Sequence, residues 1–124
     1  MRALILEYVL LFSITFIASG LQGQSGLFIR AADGSVLDQV EQSGGSFYDD
    51  GVEMDAYAIF KKYGFTHIRL KLWHTPDLPY NSLPNVLQMA SRAKEMGFGI
   101  ILDFHYSDTW ADPGRQNKPA AWEG

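Results

Sequence analysis

An alternating order of strand and helix patterns constrains the fold of this chain most. Residues 66–73, THIRLKLW, place aliphatic and polar side chains on opposite faces, which is typical of a β-strand. Residues 99–106, GIILDFHY, repeat that pattern after a predicted helix. The two segments begin about one βα unit apart, since a (β/α)8 barrel uses roughly 31 residues per unit. The spacing favours parallel strands joined by right-handed crossovers.

Three further segments extend the predicted order of elements. Residues 26–33, GLFIRAAD, form a short apolar run that ends in a carboxylate and predict the first strand. Residues 35–44 predict a short helix, and the Asp-Gly pair within FYDDGVEM indicates a turn. A doubly wound sheet is the alternative, but its nucleotide-binding form needs a glycine-rich turn where only Gly34 stands. We therefore expect an α/β chain that contributes the first three βα units of a (β/α)8 TIM barrel.

Two amphipathic helices lie between the predicted strands. Asp55 as N-cap and Gly64 beyond the C-terminus bound the first helix. Its expected apolar stripe consists of Ala56, Ile59, Phe60 and Tyr63. The second helix begins at the cap Ser82 and stops at Gly97. Its expected inner face consists of Val86, Leu87, Ala90 and Ala93.

The first twenty residues carry the features of a secretory signal. Arg2 precedes an apolar run from Tyr8 to Ala18, and the small residues Ala18 and Gly20 stand where an export peptidase reads the chain. The run is too short to cross a bilayer core of about 30 Å as a helix. We predict a signal peptide over residues 1–20, a catalytic-domain segment over residues 21–124, and a secreted or periplasmic location without a membrane anchor.

Composition narrows the class of partner. The chain has 124 residues, of which 47% are hydrophobic, and this is typical of a folded domain. Its net charge is -4 and its ten Lys and Arg residues are scattered, so no basic stripe suits nucleic acid. We therefore predict that nucleic acid is not a partner. No cysteine is present, so packing alone must hold the fold.

Polar side chains stand where each predicted strand ends. They are Asp33 on the first strand, Arg69, Lys71 and Trp73 on the second, and Asp103 and His105 on the third. Because α/β folds bind ligands at the carboxyl ends of their strands, we expect these side chains to share one site. For Asp103 and Lys71, a buried ion pair inside the barrel is an equally good interpretation.

The segment after the third strand indicates a functional loop. Residues 106–122 lack a helix or strand period and are longer than most connections. Trp110 and Trp122 stand there among carboxylate, guanidinium and amide side chains. Aromatic rings stack on the apolar faces of sugars while polar groups bind hydroxyls, so the loop favours a carbohydrate groove. The alternative is that each tryptophan packs the loop onto the rim of the barrel.

Two other kinds of site fit the residues less well. Asp103, His105 and Asp108 are possible metal ligands, but no second histidine follows them, and zinc sites need three or four convergent ligands. No serine stands in a G-x-S-x-G turn, which argues against a serine nucleophile. We predict neither a metal site nor a cofactor.

Four segments together resemble one family. They are DFHYSDTWADPGRQNKPAAW, HIRLKLW, AAD and GGSFYDDG. These segments are similar to glycoside hydrolase family 53, the secreted arabinogalactan endo-β-1,4-galactanases, which are retaining (β/α)8 hydrolases. The resemblance extends from about Ala31 to Gly124, and the long loop motif is its most specific part. The chain departs from the family pattern at Ala31, where the family has a glycine before Ala-Asp.

The resemblance implies a reaction and a set of roles. The reaction is hydrolysis of internal β-1,4-galactan linkages in type I arabinogalactan of pectin, with retention of configuration. Arg69 is implied to support the nucleophilic carboxylate, and His105 is implied to lie in the floor of the site. Asp33, Asp108 and Trp110 are implied to contact the substrate. The expected partner is therefore a polysaccharide, β-1,4-galactan.

We do not expect the two catalytic carboxylates of such an enzyme within this chain. Retaining hydrolysis needs an acid/base and a nucleophile about 5 to 5.5 Å apart, and the resemblance places both as glutamates at the ends of the fourth and seventh strands. Glu123 precedes the expected fourth strand, and the other glutamates lie in the signal, on helices or in a turn. We expect an N-terminal fragment that is inactive alone and that aggregates or stays loosely packed.

Two alternative functions remain open from the sequence. A carbohydrate-binding protein without catalysis needs Trp110 and Asp108 but no catalytic glutamates. A related hydrolase acting on mannan or glucan shares Arg69 and His105 without the whole loop motif. The segment SDTWADPG favours the galactanase over this second alternative.

Overall fold

The computed structural model describes residues 28–124, which form two sheets and three helices. Along the chain the elements are β1 (Ala31–Asp33), α1 (Leu37–Gln42), β2 (Phe47–Asp49), β3 (Val52–Met54), α2 (Ala56–Lys62), β4 (His67–Leu72), α3 (Leu83–Glu95) and β5 (Gly99–Phe104), followed by a 3-10 turn at Ala120–Trp122. The predicted signal over residues 1–20 lies outside the described residues. Within the described part, no helix has the length and apolarity that a membrane span requires.

The central sheet has three parallel strands in the spatial order β1-β4-β5. The register sets Asp33 beside Arg69, and Lys71 beside Asp103. Since all three strands run in one direction, their carboxyl ends meet at one edge of the sheet. This arrangement confirms the predicted parallel order and gathers the predicted polar residues at that edge.

One face of β4 forms the centre of the core. Ile68 and Leu70 are completely buried, and α3 covers them with Val86, Met89 and Ala93. Burying an Ile or Leu side chain contributes about 1.5 to 3 kcal/mol, so these two residues anchor the sheet to the helix. The other face of β4 carries Arg69 and Lys71, as the alternation predicts.

Two predicted core positions, Tyr63 and Leu87, are wrong. Tyr63 is 51% exposed because α2 ends at Lys62, whereas Tyr57 in its first turn is completely buried. On α3, Leu87 is 61% exposed and Met89 is buried in its place. The buried positions of α3 follow a spacing of three and four residues from Val86, and Leu87 is one position out of phase with it.

A β-hairpin interrupts the crossover between β1 and β4. Strands β2 and β3 pair antiparallel, and Asp50 and Gly51 between them both have positive φ, of 50° and 78°. Two positive values at the centre of a two-residue turn match the primed turns that suit hairpins. The turn expected from the Asp-Gly pair is therefore confirmed.

The helix caps agree only in part with the sequence. The Asp55 carboxylate accepts a hydrogen bond from the Ala58 amide at 3.0 Å, which confirms it as the N-cap of α2. Ser82 occupies the N-cap position of α3 but makes no side-chain bond to the helix. Its hydroxyl donates to the Pro79 carbonyl instead, at 2.6 Å, and so holds the preceding turn.

Candidate active site

Arg69 lies at the centre of the polar edge of the sheet. Its Nη1 donates to Asp33 Oδ2 at 2.5 Å, and its Nη2 donates to Asp103 Oδ2. The two carboxylates come from the strands on either side of β4, so the guanidinium bridges all three strands. Because these pairs are partly exposed, they contribute more to the orientation of Arg69 than to stability.

Lys71 is a second cation in the site and is largely buried, with 7% exposure. Its Nζ lies 3.3 Å from Asp33 Oδ2, and 4.7 Å from the centre of the Trp110 ring. The interpretation of Lys71 as part of an ion pair is therefore confirmed, with Asp33 as the partner rather than its register neighbour Asp103. The ammonium over the indole face also holds Trp110 by a cation–π contact.

Asp33 is held in its ionised form. Burial raises its pKa, but hydrogen bonds from Ser35 and the charge of Lys71 outweigh burial and hold the pKa below its usual value. The Ser35 amide donates to Asp33 Oδ1 at 3.0 Å. A carboxyl group with a lowered pKa is a poor general acid and a good acceptor, so Asp33 suits binding and orientation.

His105 connects this ion cluster to the loop. Its side chain is 7% exposed, and its Nε2 lies 3.0 Å from Asp103 Oδ2. Its Nδ1 accepts a hydrogen bond from the Trp73 indole at 3.1 Å and one from the Ala111 amide at 3.3 Å. The imidazole is therefore fixed on both sides, between Asp103 on β5 and the end of β4.

Trp110 packs against the site from the loop. Its ring meets His105 edge-on, with centroids 5.6 Å apart, and its indole N–H donates to Asp112 Oδ2 at 2.9 Å. The residue is nevertheless 43% exposed, so part of the ring remains accessible. The packing interpretation therefore applies to Trp110, and the predicted contact of its accessible ring with a sugar stays a prediction.

Asp108 holds the loop through backbone contacts. Its Oδ1 accepts from the Thr75 amide and its Oδ2 from the Ala120 amide, each at 2.8 Å. The carboxylate therefore ties the start of the loop to its end and to the segment after β4. The predicted contact between Asp108 and a substrate stays a prediction, and the described contacts give this residue a structural role.

An open cleft of about 610 Å³ lies over the carboxyl end of β5. Its lining combines site residues with the loop: Arg69, Asp103, Phe104, His105, Tyr106, Ala111, Asp112, Pro113, Gln116, Asn117, Lys118 and Trp122. Of the predicted site residues, Arg69 and His105 line this cleft directly. Asp33 and Trp110 contact the lining residues without lining the cleft themselves, and Asp108 does not line it either.

Sequence reasoning missed that Tyr106 and Lys118 line the cleft, and it placed Trp73 in the site without its contact to His105. Trp73 stands on the same face as Arg69 by strand alternation, and this parity was the available signal. Tyr106 has φ of 50°, a conformation rare for an aromatic residue, and it turns the chain away from β5 into the loop. No periodic pattern marks Lys118, since the loop that places it is irregular.

No glutamate within residues 28–124 lies on a parallel strand: Glu41, Glu53 and Glu95 lie on α1, β3 and α3, and Glu123 follows the 3-10 turn. Of the aspartates in the site, Asp33 and Asp103 bind Arg69, and Asp112 accepts the Trp110 indole N–H. That both catalytic glutamates lie outside this chain stays a prediction. Among residues 28–124, no group of three or more potential ligands could hold a metal ion.

The site and fold agree with one protein family. The model of a family described as glycosyl hydrolase family 53 matches residues 29–124. The chain belongs to this family. The resemblance based on the loop motif and the β4 segment is therefore confirmed.

Several relatives of this family 53 chain carry names that state an activity. An arabinogalactan endo-β-1,4-galactanase of Cellvibrio japonicus (strain Ueda107) is 38% identical over 77% of this chain and 26% of its own length. An endo-β-1,4-galactanase of Bacillus subtilis (strain 168) is 33% identical over 82% of this chain and 26% of its own length. The chain thus spans about a quarter of the length of the curated relatives it matches.

Solved structures show the same relationship in three dimensions. A structure from a study of two fungal β-1,4-galactanases superposes with a TM-score of 0.75 at 34% identity, over 80% of this chain and 30% of that one. The family 53 catalytic domain of Ignisphaera aggregans superposes with a TM-score of 0.71 at 43% identity, over 79% of this chain and 31% of that one. The predicted fold class is therefore confirmed, with this chain matching the N-terminal part of a TIM-barrel catalytic domain.

Proposed function

We propose that residues 28–124 form the N-terminal part of the active site of a retaining endo-β-1,4-galactanase, which hydrolyses internal linkages of β-1,4-galactan in type I arabinogalactan. The observation that carries this proposal is Arg69, held between Asp33 and Asp103 beside an open cleft. The names of the galactanase relatives support the substrate class.

The proposed role of Arg69 is to support a nucleophilic carboxylate. A guanidinium has five N–H donors, and the contacts to Asp33 and Asp103 leave donors for a further acid. A fixed positive charge beside a carboxyl group lowers its pKa, which keeps the nucleophile ionised while the acid/base remains protonated. The nucleophile and the acid/base are proposed to come from glutamates outside residues 28–124, as the family resemblance implies.

The remaining site residues are proposed to bind the sugar chain. Asp33 beside Arg69 is proposed to accept hydrogen bonds from sugar hydroxyl groups. His105 is proposed to form the floor of the site, with its two ring nitrogens bound to Asp103 and to Trp73 and Ala111. The accessible part of the Trp110 ring is proposed to stack on an apolar face of a galactose unit. The cleft is open, so a polymer chain can lie across it, which is what endo-acting hydrolysis requires.

The proposal includes export of the protein, to a secreted or periplasmic location. The apolar segment after Arg2 and the small residues near Gly20 support this part. N-terminal sequencing of the protein recovered outside the cytoplasm is expected to begin near Leu21. A mature protein that still begins at Met1 would contradict the predicted signal.

The experiment that tests the function is hydrolysis of defined polysaccharides. A complete family 53 domain carrying residues 28–124 is incubated with β-1,4-galactan, β-1,4-mannan and β-1,4-glucan, and released reducing ends and product sizes are measured. We expect galacto-oligosaccharides from galactan alone. Equal release from mannan or glucan, or no release from galactan, would refute the proposal.

A matched pair of variants connects the activity to the site. Arg69→Met is expected to lower kcat/KM on galactan by about 100-fold or more, the loss typical of one preorganised charged donor. Arg30→Met removes a guanidinium that packs over the Phe65 ring, next to the amino end of β1, and serves as the control. We expect this control to retain the activity of the unmodified protein.

A further inference from the structure

Trp73, which we expect from the sequence to share the site, contacts His105 within it. It directly follows β4, and its backbone amide donates to the Asn81 carbonyl at 2.9 Å. Its indole Nε1 donates to His105 Nδ1 at 3.1 Å, across 32 positions of the chain. The two rings lie 6.4 Å apart between centroids and are tilted by 45°, so the contact is directional rather than a stack.

This contact selects one tautomer of the imidazole. An indole N–H can only donate, so His105 Nδ1 must accept, and the Ala111 amide at 3.3 Å adds a second donor to the same nitrogen. In the neutral ring the proton then lies on Nε2. That nitrogen is 3.0 Å from Asp103 Oδ2 and donates to it.

The tautomer matters because Asp103 Oδ2 has a second partner. The same oxygen accepts a hydrogen bond from Arg69 Nη2. With the proton on Nε2, both donors converge on one carboxylate oxygen and fix its position. The opposite tautomer would turn an imidazole lone pair toward that oxygen, and the repulsion would displace the carboxylate that holds Arg69.

We propose that Trp73 is a positioning residue that fixes the Nε2–H tautomer of His105 and, through Asp103, the orientation of Arg69. The catalytic consequence rests on the proposed function, whereas the tautomer does not. Trp73 is not itself part of the polar ion cluster, and it acts through two hydrogen bonds in sequence. This gives the tryptophan a role in the site that needs no contact with the sugar.

The test is the tautomer of His105 by ¹⁵N NMR of the full-length protein labelled with ¹⁵N at histidine and tryptophan. In the unmodified protein we expect His105 Nε2 to carry the proton, and a coupling across the hydrogen bond between Trp73 Nε1 and His105 Nδ1. Trp73→Phe keeps an aromatic ring and removes the donor. We expect it to shift the tautomer ratio of His105 by roughly five-fold toward Nδ1–H, the effect of one net hydrogen bond.

Trp122→Phe is the matched control, since it removes one indole N–H from the lining of the same cleft without touching His105 Nδ1. We expect its His105 tautomer ratio to equal that of the unmodified protein. A proton on Nδ1 in the unmodified protein would overturn the proposal without any variant having to fold. An unchanged ratio in Trp73→Phe would also overturn it.

The activity assay separates this inference from the proposed function. On galactan we expect Trp73→Phe to lower kcat by roughly the same five-fold with little change in KM, since the donor acts on Arg69 and not on sugar binding. If the unmodified protein does not cleave galactan, the proposed function fails, and the tautomer measurement still decides the role of Trp73. If galactan is cleaved and the tautomer does not respond, only the positioning role fails.

Discussion

Tyr57→Phe is expected to stabilise the fold at neutral pH. Tyr57 is completely buried, and within residues 28–124 its hydroxyl has no hydrogen-bond partner. Its ring packs beside Phe98, with centroids 6.1 Å apart, and below the Arg92 guanidinium at 4.9 Å from the ring centre. The ring contacts remain in phenylalanine, while the desolvated hydroxyl is removed. We expect a gain of about 1 kcal/mol in the free energy of unfolding at pH 8.

The same substitution changes the response to alkaline pH. Burial raises the pKa of Tyr57 from its usual value of 10.0 to about 12, against the opposing charge of Arg92. As the pH rises, the unfolded chain therefore loses the Tyr57 hydroxyl proton before the folded chain does. The contribution of this ionisation to stability is fully present below pH 10 and is lost as the pH rises to 12. Two pKa units correspond to about 2.7 kcal/mol at most, and solvent near Arg92 reduces the expected effect to about 1 to 2 kcal/mol.

The assay is urea denaturation followed by circular dichroism at pH 8 and pH 11.5, for the full-length protein and its Tyr57→Phe variant. We expect the advantage of the variant to grow by about 1 kcal/mol or more between the two pH values. Tyr48→Phe removes an exposed phenol and is expected to change stability by less than about 0.5 kcal/mol. A loss of stability in Tyr57→Phe at pH 8 would show that the hydroxyl has a partner, and would refute the reasoning.

Three further substitutions test local features of the fold. Gly34→Ala adds a Cβ only 2.7 Å from the buried Ile68 Cγ2. We expect it to lower the free energy of unfolding by about 1 to 3 kcal/mol in urea titrations. An unchanged midpoint would contradict this packing. Asp55→Ala removes the N-cap of α2, and we expect it to lower the free energy of unfolding by about 1 kcal/mol. The measurement is the melting temperature, which is expected to fall. An unaltered melting temperature would mean that the cap is not formed. Asp108→Ala leaves two backbone amides without their acceptor, and we expect it to speed proteolysis within residues 106–122 several-fold. Asp108→Asn keeps one acceptor and is the control. Equal cleavage of the two variants would refute the role of the second oxygen.

The regular part of the fold could be predicted because its signals are periodic. Alternation in β4 identified Ile68 and Leu70 as buried, and the cap Asp55 identified the start of α2. The buried positions of α2 were harder to predict. The helix ends at Lys62, which leaves Tyr63 outside it and exposed, whereas Tyr57 in the first turn is buried beside the predicted Ala56.

The contacts of the site could be predicted only in part. Parallel order placed Asp33 and Arg69 at one edge, and the register then brings them together. The contact between Trp73 and His105 depends on the orientation of two rings on neighbouring strands, which no sequence spacing encodes. Asp108 is bound by backbone amides of an irregular loop, and its role depends on a loop path that lacks any period.

The most direct test of the central claim is a crystal structure of the complete domain with a β-1,4-linked galactose tetramer. The account predicts electron density for the sugar in the cleft over β5, with hydroxyl groups within about 3.2 Å of polar atoms of Arg69 or Asp33 and a galactose face against Trp110. A tetramer bound elsewhere on the domain, with this cleft filled only by solvent, would contradict it.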